Sequence, residues 1–123
     1  MLTFLDANAI LRFLLRDIEQ QAQIVREHVV KGAEISVEVL AEVVYVLSGV
    51  YEVSRADIAS TLLRVCDDIY VERADEVCLA ASIFARTKLD FVDCLIVARA
   101  QLTEQAILTF DKKLSKELLK PSS

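Results

Sequence analysis

Four acidic residues stand where a carboxylate is hard to treat as ordinary solvent-facing charge. Asp6 closes the apolar run Leu2-Thr3-Phe4-Leu5, and Asp111 closes Ala106-Ile107-Leu108-Thr109-Phe110. Glu42 interrupts the apolar stretch from Val37 to Leu47, and Asp93 follows Asp90 at the head of Cys94-Leu95-Ile96-Val97-Ala98. Carboxylates gathered in one cleft repel each other unless they are protonated or bound to cations. An all-oxygen set without Cys or His selects a hard dication, Mg²⁺ or Mn²⁺. The chemistry that such a cluster supports is metal-assisted phosphoryl transfer or phosphodiester hydrolysis.

Each acid also has a plainer reading. Asp6, Asp90 and Asp111 are suited to cap the helices that follow them, and Asp93, as a third helical residue, would meet a favourable helix dipole. Glu38 lies in the first turn of its helix and is read in that way alone. Glu42 differs, because its helix is expected to be buried on most sides. Positions 38, 39, 45 and 46 are Glu, Val, Tyr and Val, so no cation stands at helical spacing to neutralise it. Left buried and unpaired, it would cost several kcal/mol, and its compensation must come from outside the helix.

For these acids to meet, strands and helices must alternate along the chain. Residues 2–5 are apolar without alternation, which predicts the central strand of a parallel sheet covered on both faces. Ligands bind at the carboxyl ends of such strands, where Asp6 stands. A helix carrying Ile10, Leu11, Leu14 and Leu15 follows, and Asp17 can cap a second helix running to about Lys31, where Gly32 ends it. Residues 33–35 make a short strand, Ser36 opens the apolar helix to about Tyr51, and Ser54-Arg55-Ala56-Asp57 resembles a capping box opening a helix to about Cys66. A third strand at 69–71, helices from Ala74 to Arg86 and from Asp90 onward, a fourth strand at 106–110 and a helix carrying Leu114 and Leu118 complete the order. Right-handed βαβ connections bring strand ends and the starts of the following helices to one edge, so Asp6, Glu42, Asp93 and Asp111 are expected to converge.

Composition bounds the rest. With 54% hydrophobic residues, the 123-residue chain is expected to form one domain over 1–120, with 121–123 as a flexible tail. It has neither the roughly 20-residue apolar run of a membrane span nor the pattern of a signal peptide, so a cytoplasmic protein without membrane contact is expected. Cys66, Cys78 and Cys94 are odd in number and widely spaced, which suits buried free thiols rather than disulfides or a zinc cage. The only histidine, His28, flanks an apolar stripe and leaves no Ser-His or Cys-His pair to build. A net charge of -5 argues against binding nucleic acid by bulk electrostatics, unless a bound cation inverts the sign of an acidic site. The apolar fraction is large for so small a core, and Tyr45 to Val53 carries apolar side chains to spare, so a homodimer is expected.

Leu5-Asp6-Ala7-Asn8, Ser36 through Glu42, Asp90-Phe91-Val92-Asp93 and Thr109-Phe110-Asp111 resemble, in order and over nearly the whole chain, the successive acidic motifs of the PIN-domain ribonucleases. They look most like the VapC-type toxins of toxin-antitoxin operons. The resemblance implies a three-layer α/β/α domain with a short central parallel sheet of about four strands. It makes Asp6, Glu42, Asp93 and Asp111 the catalytic and metal-site acids, Asn8 and Thr109 supporting polar residues, and Asp90 an acid behind the metal ligands. It also implies Mg²⁺-dependent endoribonuclease activity on RNA, a homodimer, and a cognate antitoxin that occludes the site. Two departures stand out: Cys94 replaces the alanine usual after the third acid, and no apolar run after Leu119 supplies a fifth edge strand.

Two other readings compete. One is a catalytically weak domain of the same fold that serves as a protein-interaction module. The other is a metal-dependent phosphatase or phospho-acceptor domain; the haloacid-dehalogenase type needs Asp-x-Asp after its first strand, and here Asn8 takes the second position. No GxxxxGK[ST] loop is present to support nucleotide-triphosphate hydrolysis.

Overall fold

The computed structural model describes residues 1–121, so the tail expected at Ser122 and Ser123 lies outside the described residues. Its elements are β1 (Thr3–Phe4), α1 (Ala7–Leu15), α2 (Glu19–Lys31), β2 (Ala33–Ile35), α3 (Val37–Gly49), α4 (Arg55–Asp68), β3 (Tyr70–Val71), α5 (Ala74–Arg86), α6 (Phe91–Thr103) and α7 (Lys112–Leu118). The three strands form one parallel sheet in the order β1-β2-β3. Thr3 stands opposite Ala33, Phe4 opposite Glu34, Glu34 opposite Tyr70, and Ile35 opposite Val71. The fold is thus α/β and largely helical around a small parallel sheet.

Local signals account for most boundaries. Ser36 and Ser54 accept hydrogen bonds from the backbone N–H groups of Val39 and Asp57, starting α3 and α4. Gly32 ends α2 at φ 121°, a region that a side chain would strain, and a Cβ there would lie 3.1 Å from Leu2 Cδ2. One cap falls elsewhere: Ile18 occupies the N-cap position of α2 without a side-chain bond, while Asp17 pairs with Arg12 at 3.0 Å.

Two strand expectations are corrected. The first strand is not central: β1 lies at the sheet edge, donating from Thr3 and Leu5 N–H to the Gly32 and Glu34 carbonyls, and Phe4 is 56% exposed. The expected fourth strand at 106–110 is absent, so the sheet has three strands rather than about four. Ile107 and Thr109 are half-buried, whereas Leu108 is 87% and Phe110 93% exposed, which is the alternation of a strand without a ladder. Alternation determines which side chains share a face, not whether a neighbour pairs.

The core is one continuous cluster. Ile10 of α1, Leu40 and Val43 of α3, Ile58 and Leu62 of α4, Val77 and Ile83 of α5, and Cys94 and Val97 of α6 are fully buried within it. Among the described residues no helix is long and apolar enough to cross a membrane.

Two buried acids lock helices together. Glu76 at the start of α5 meets Arg73 at 3.3 Å and Arg99 of α6 at 3.1 Å. Glu117 of α7, 5% exposed, accepts from Arg86 of α5 and from Lys120, each at 3.0 Å. Burial acts to raise the Glu117 pKa, but the hydrogen bonds and charges of Lys120 and Arg86 outweigh it and hold the carboxyl below its ordinary range. A depressed folded pKa stabilises the fold above the unfolded value, and that stabilisation is lost as pH falls through the folded value. Glu117→Gln should therefore lower the melting temperature at pH 7 by about 4 °C, corresponding to roughly 1 kcal/mol. The gap to the wild type should close as the pH is lowered from about 5 to about 3, as followed by circular dichroism; a gap independent of pH would assign the loss to packing.

Candidate active site

Three of the expected acids sit at helix N-termini, where four backbone N–H groups lack helical partners. Asp6 follows β1 at the N-cap of α1, and its Oδ1 accepts from Ala9 N at 2.8 Å. Asp111 is the N-cap of α7, and its Oδ1 accepts from Leu114 N at 2.9 Å. Thr109 holds the approach to it, because Asp111 N donates to Thr109 Oγ1 at 3.0 Å. The capping bond engages one oxygen of each carboxylate and leaves its charge in place. Asp93 lies in the first turn of α6, with Asp90 at the N-cap position making no side-chain capping bond. Asn8 is exposed in the first turn of α1.

The Asp93 carboxyl is held above its ordinary range, first by burial and then by the charges of Asp111 and Asp90. The starts of α6 and α7 thus share one negative field. Asp93 lies within electrostatic reach of Asp111 and Asp90, whereas Asp6 stands apart at the carboxyl end of β1, at the N-cap of α1.

Glu42 is corrected in its burial: it is exposed. Leu40, Val43, Val44 and Leu47 form the buried face of α3, and the side carrying Glu42 and Tyr45 is open. An apolar helix is buried all round only when elements cover every side, and here they cover one face. The cost that marked Glu42 as needing a partner is absent from this chain alone.

Beside Asp93, a cavity of about 330 Å³ opens between α3 and α6, lined by Val44, Phe84 and Phe91 together with Tyr45, Arg55 and Asp90. Arg55 Nε donates to the Phe84 carbonyl at 2.8 Å, its Nη2 donates to the Leu89 carbonyl, and its guanidinium lies 3.6 Å from the centroid of the Phe84 ring. It ties the end of α5 and the segment leading to Asp90 to the start of α4. A second cavity of about 340 Å³, between α6 and α7, is lined by none of Asp6, Glu42, Asp93 or Asp111.

The remaining candidate chemistries are absent from this site. His28 is exposed on α2, 3.3 Å from the Thr3 hydroxyl. Burial pushes the Cys66 thiol up to about 12, aided by Cys78 and Asp67. Burial also pushes Cys94 up to about 11, against the opposing effects of Thr87 and Arg55. Neither is a thiolate near neutral pH.

The donor chemistry of these acids fits a hard dication, and the negative field at Asp93 is one that a cation would relieve. It does not form a closed cage: among the described residues no three His, Cys, Asp or Glu side chains stand close enough together to hold an ion. A cation here would keep much of its water shell.

The chain belongs to the PIN domain family, whose pattern matches residues 3–116. PIN domains are generally nucleases and typically use divalent metal ions. No curated protein and no solved structure shows significant similarity to the chain.

Arg55 escaped the reading of the sequence because its two carbonyl partners lie 29 and 34 residues away, where no local pattern reaches. Tyr45 and Ser48 escaped as members of an apolar run; their spacing from Ala41 and Val44 on one helix face was the available signal.

The raised Asp93 pKa has a consequence for stability. Its contribution is fully present below the unfolded carboxyl value and is lost as pH rises through the raised folded value, so at pH 7 the ionised group costs stability. Asp93→Asn should melt at least as high as the wild type at pH 7, and the two curves should converge below about pH 4. A clearly lower melting temperature for the variant at pH 7 would contradict the shared field.

Proposed function

We propose that this protein is a Mg²⁺-dependent endoribonuclease that hydrolyses RNA phosphodiester bonds and serves as the toxin of a type II toxin-antitoxin pair. The observation that carries the nuclease reading is Asp93, held in the field of Asp111 and Asp90 within a PIN domain. The toxin role rests on the likeness of its motifs to VapC-type toxins.

Asp6 and Asp93 would hold the cation, with Glu42 and Asp111 positioning water around it. A bound dication supplies charge stabilisation on the phosphate and a lowered pKa for the attacking water. Asp6 is pre-oriented by Ala9 N, and Asp111 by Leu114 N and Thr109, so these carboxylates need little reorganisation on binding. Asn8, exposed two residues after Asp6, would support the substrate. Proton handling falls to carboxylates and water, because His28 hydrogen-bonds to Thr3 and the two shifted thiols stay protonated.

A second reading, a catalytically weak interaction module, is favoured by one observation: no closed group of metal ligands stands among the described residues. Cleavage separates the two. RNA should be cut in Mg²⁺ or Mn²⁺ and not in EDTA, leaving 5′-phosphate and 3′-hydroxyl ends. Asp6→Asn and Asp93→Asn should each lower the rate by orders of magnitude with folding retained, and His28→Ala should change it little. Cyclic-phosphate ends or full activity in EDTA would rule the mechanism out.

The partners proposed with this function are a second copy of the chain and a small antitoxin. Val50 and Tyr51 are exposed where α3 ends, apolar surface that a second copy would cover. Light scattering at micromolar concentration should give twice the chain mass, and a monomer mass would remove the dimer.

A further inference from the structure

The cavity beside Asp93 is not required to hold the acids, and its lining is unlike theirs. Val44 and Phe91 supply apolar wall, and the Phe84 and Phe91 rings pack edge to face with centroids 5.9 Å apart. On α3, Tyr45 stands at the rim with its ring 78% exposed, and Ser48 lies one turn further on. Such a ring has no packing role to explain it, yet it lies next to a concave apolar surface.

The charge of the rim decides what can enter. Arg55 is the sole cation of the lining, and its guanidinium is committed to the Phe84 and Leu89 carbonyls and the Phe84 ring. Facing it are the carboxylates of Asp90 and Asp93. A phosphate would meet two negative charges against one engaged positive charge, so the pocket repels anions. A flat neutral ring is suited to it: aromatic walls stack any base, and the volume of about 330 Å³ falls at the small end of ligand sites. The carboxylate of Asp90 makes no capping bond and accepts hydrogen bonds only, which favours a base that donates from an exocyclic amino group.

We propose that this cavity is a nucleobase subsite next to the cleavage site, in which Tyr45 stacks a single unpaired base and Asp90 accepts from its exocyclic amino group, so that the amino-bearing bases cytosine, adenine and guanine are preferred to uracil. The proposal rests on the ribonuclease reading for its biological meaning but not for its test. The base would occupy the pocket while its phosphate stays outside it, towards the cation that Asp93 would help to hold, which would make Tyr45 and Asp90 specificity-determining residues rather than catalytic ones.

Nucleosides probe the pocket without phosphate, metal or cleavage. Titration of the whole metal-free protein with cytidine, adenosine and uridine, followed by ¹H–¹⁵N NMR, should shift the amides of Ser48, Val92 and Asp93. Cytidine and adenosine should act at lower concentrations than uridine. Tyr45→Ala should weaken cytidine binding about tenfold, and Asp90→Asn should erase the preference over uridine while leaving stacking intact. Because Tyr45 is exposed and Asp90 makes no capping bond, both variants should fold, as their spectra will show. No shifts at the pocket, equal affinity for cytidine and uridine, or unchanged binding by Tyr45→Ala would overturn the proposal. Conversion of a dimer to a monomer by Tyr45→Ala would overturn it too, by marking that ring as a contact between copies. Nucleoside binding by a protein that cuts no RNA in Mg²⁺ would sustain the pocket and defeat the nuclease reading, so the two failures are distinct.

Discussion

The start of a helix offers backbone N–H groups that the helix itself cannot satisfy, and three acids of this protein stand at that deficiency. Asp6 caps α1, Asp111 caps α7, and Asp93 lies in the first turn of α6. The N–H groups and the helix dipole favour an acid at each of these positions, although burial and the charges of Asp111 and Asp90 still leave the Asp93 carboxyl above its ordinary range. The arrangement resolves the competition between capping and chemistry: the same bond that starts a helix orients an oxygen and leaves the charge available.

Glu117 and Asp93 show how context divides one chemistry into two roles. Both lose solvation on folding. Glu117 meets Arg86 and Lys120, and its pKa falls; Asp93 meets Asp111 and Asp90, and its pKa rises. The first is a structural lock between α7 and α5. The second is a place where the ionised group costs the fold stability at pH 7.

The small sheet shapes the surface. Three strands of two or three residues position Asp6 at the end of β1 but cannot cover everything the sequence makes apolar. Phe4, Leu108 and Phe110 remain in solvent, and so does the open side of α3 with Tyr45. The exposure of Tyr45 beside the cavity follows from the same shortage of cover that exposes Glu42.

The sequence alone determined the order of elements, the caps at Ser36, Ser54 and Asp111, the stop at Gly32 and the identity of the acids, because periodicity, capping and glycine geometry act over a few residues. The resemblance of its four acidic motifs carried the family before any coordinates. Tertiary structure decided the rest. Whether residues 106–110 join a sheet depends on a partner edge; whether Glu42 is buried depends on how many elements cover α3. Arg55 reached Phe84 and Leu89 across 29 and 34 residues, and Asp93 acquired its raised pKa first from burial and then from Asp111, a neighbour supplied by the N-cap of another helix. Those outcomes are set by contacts between segments far apart in the chain, where the local preferences of each segment are silent.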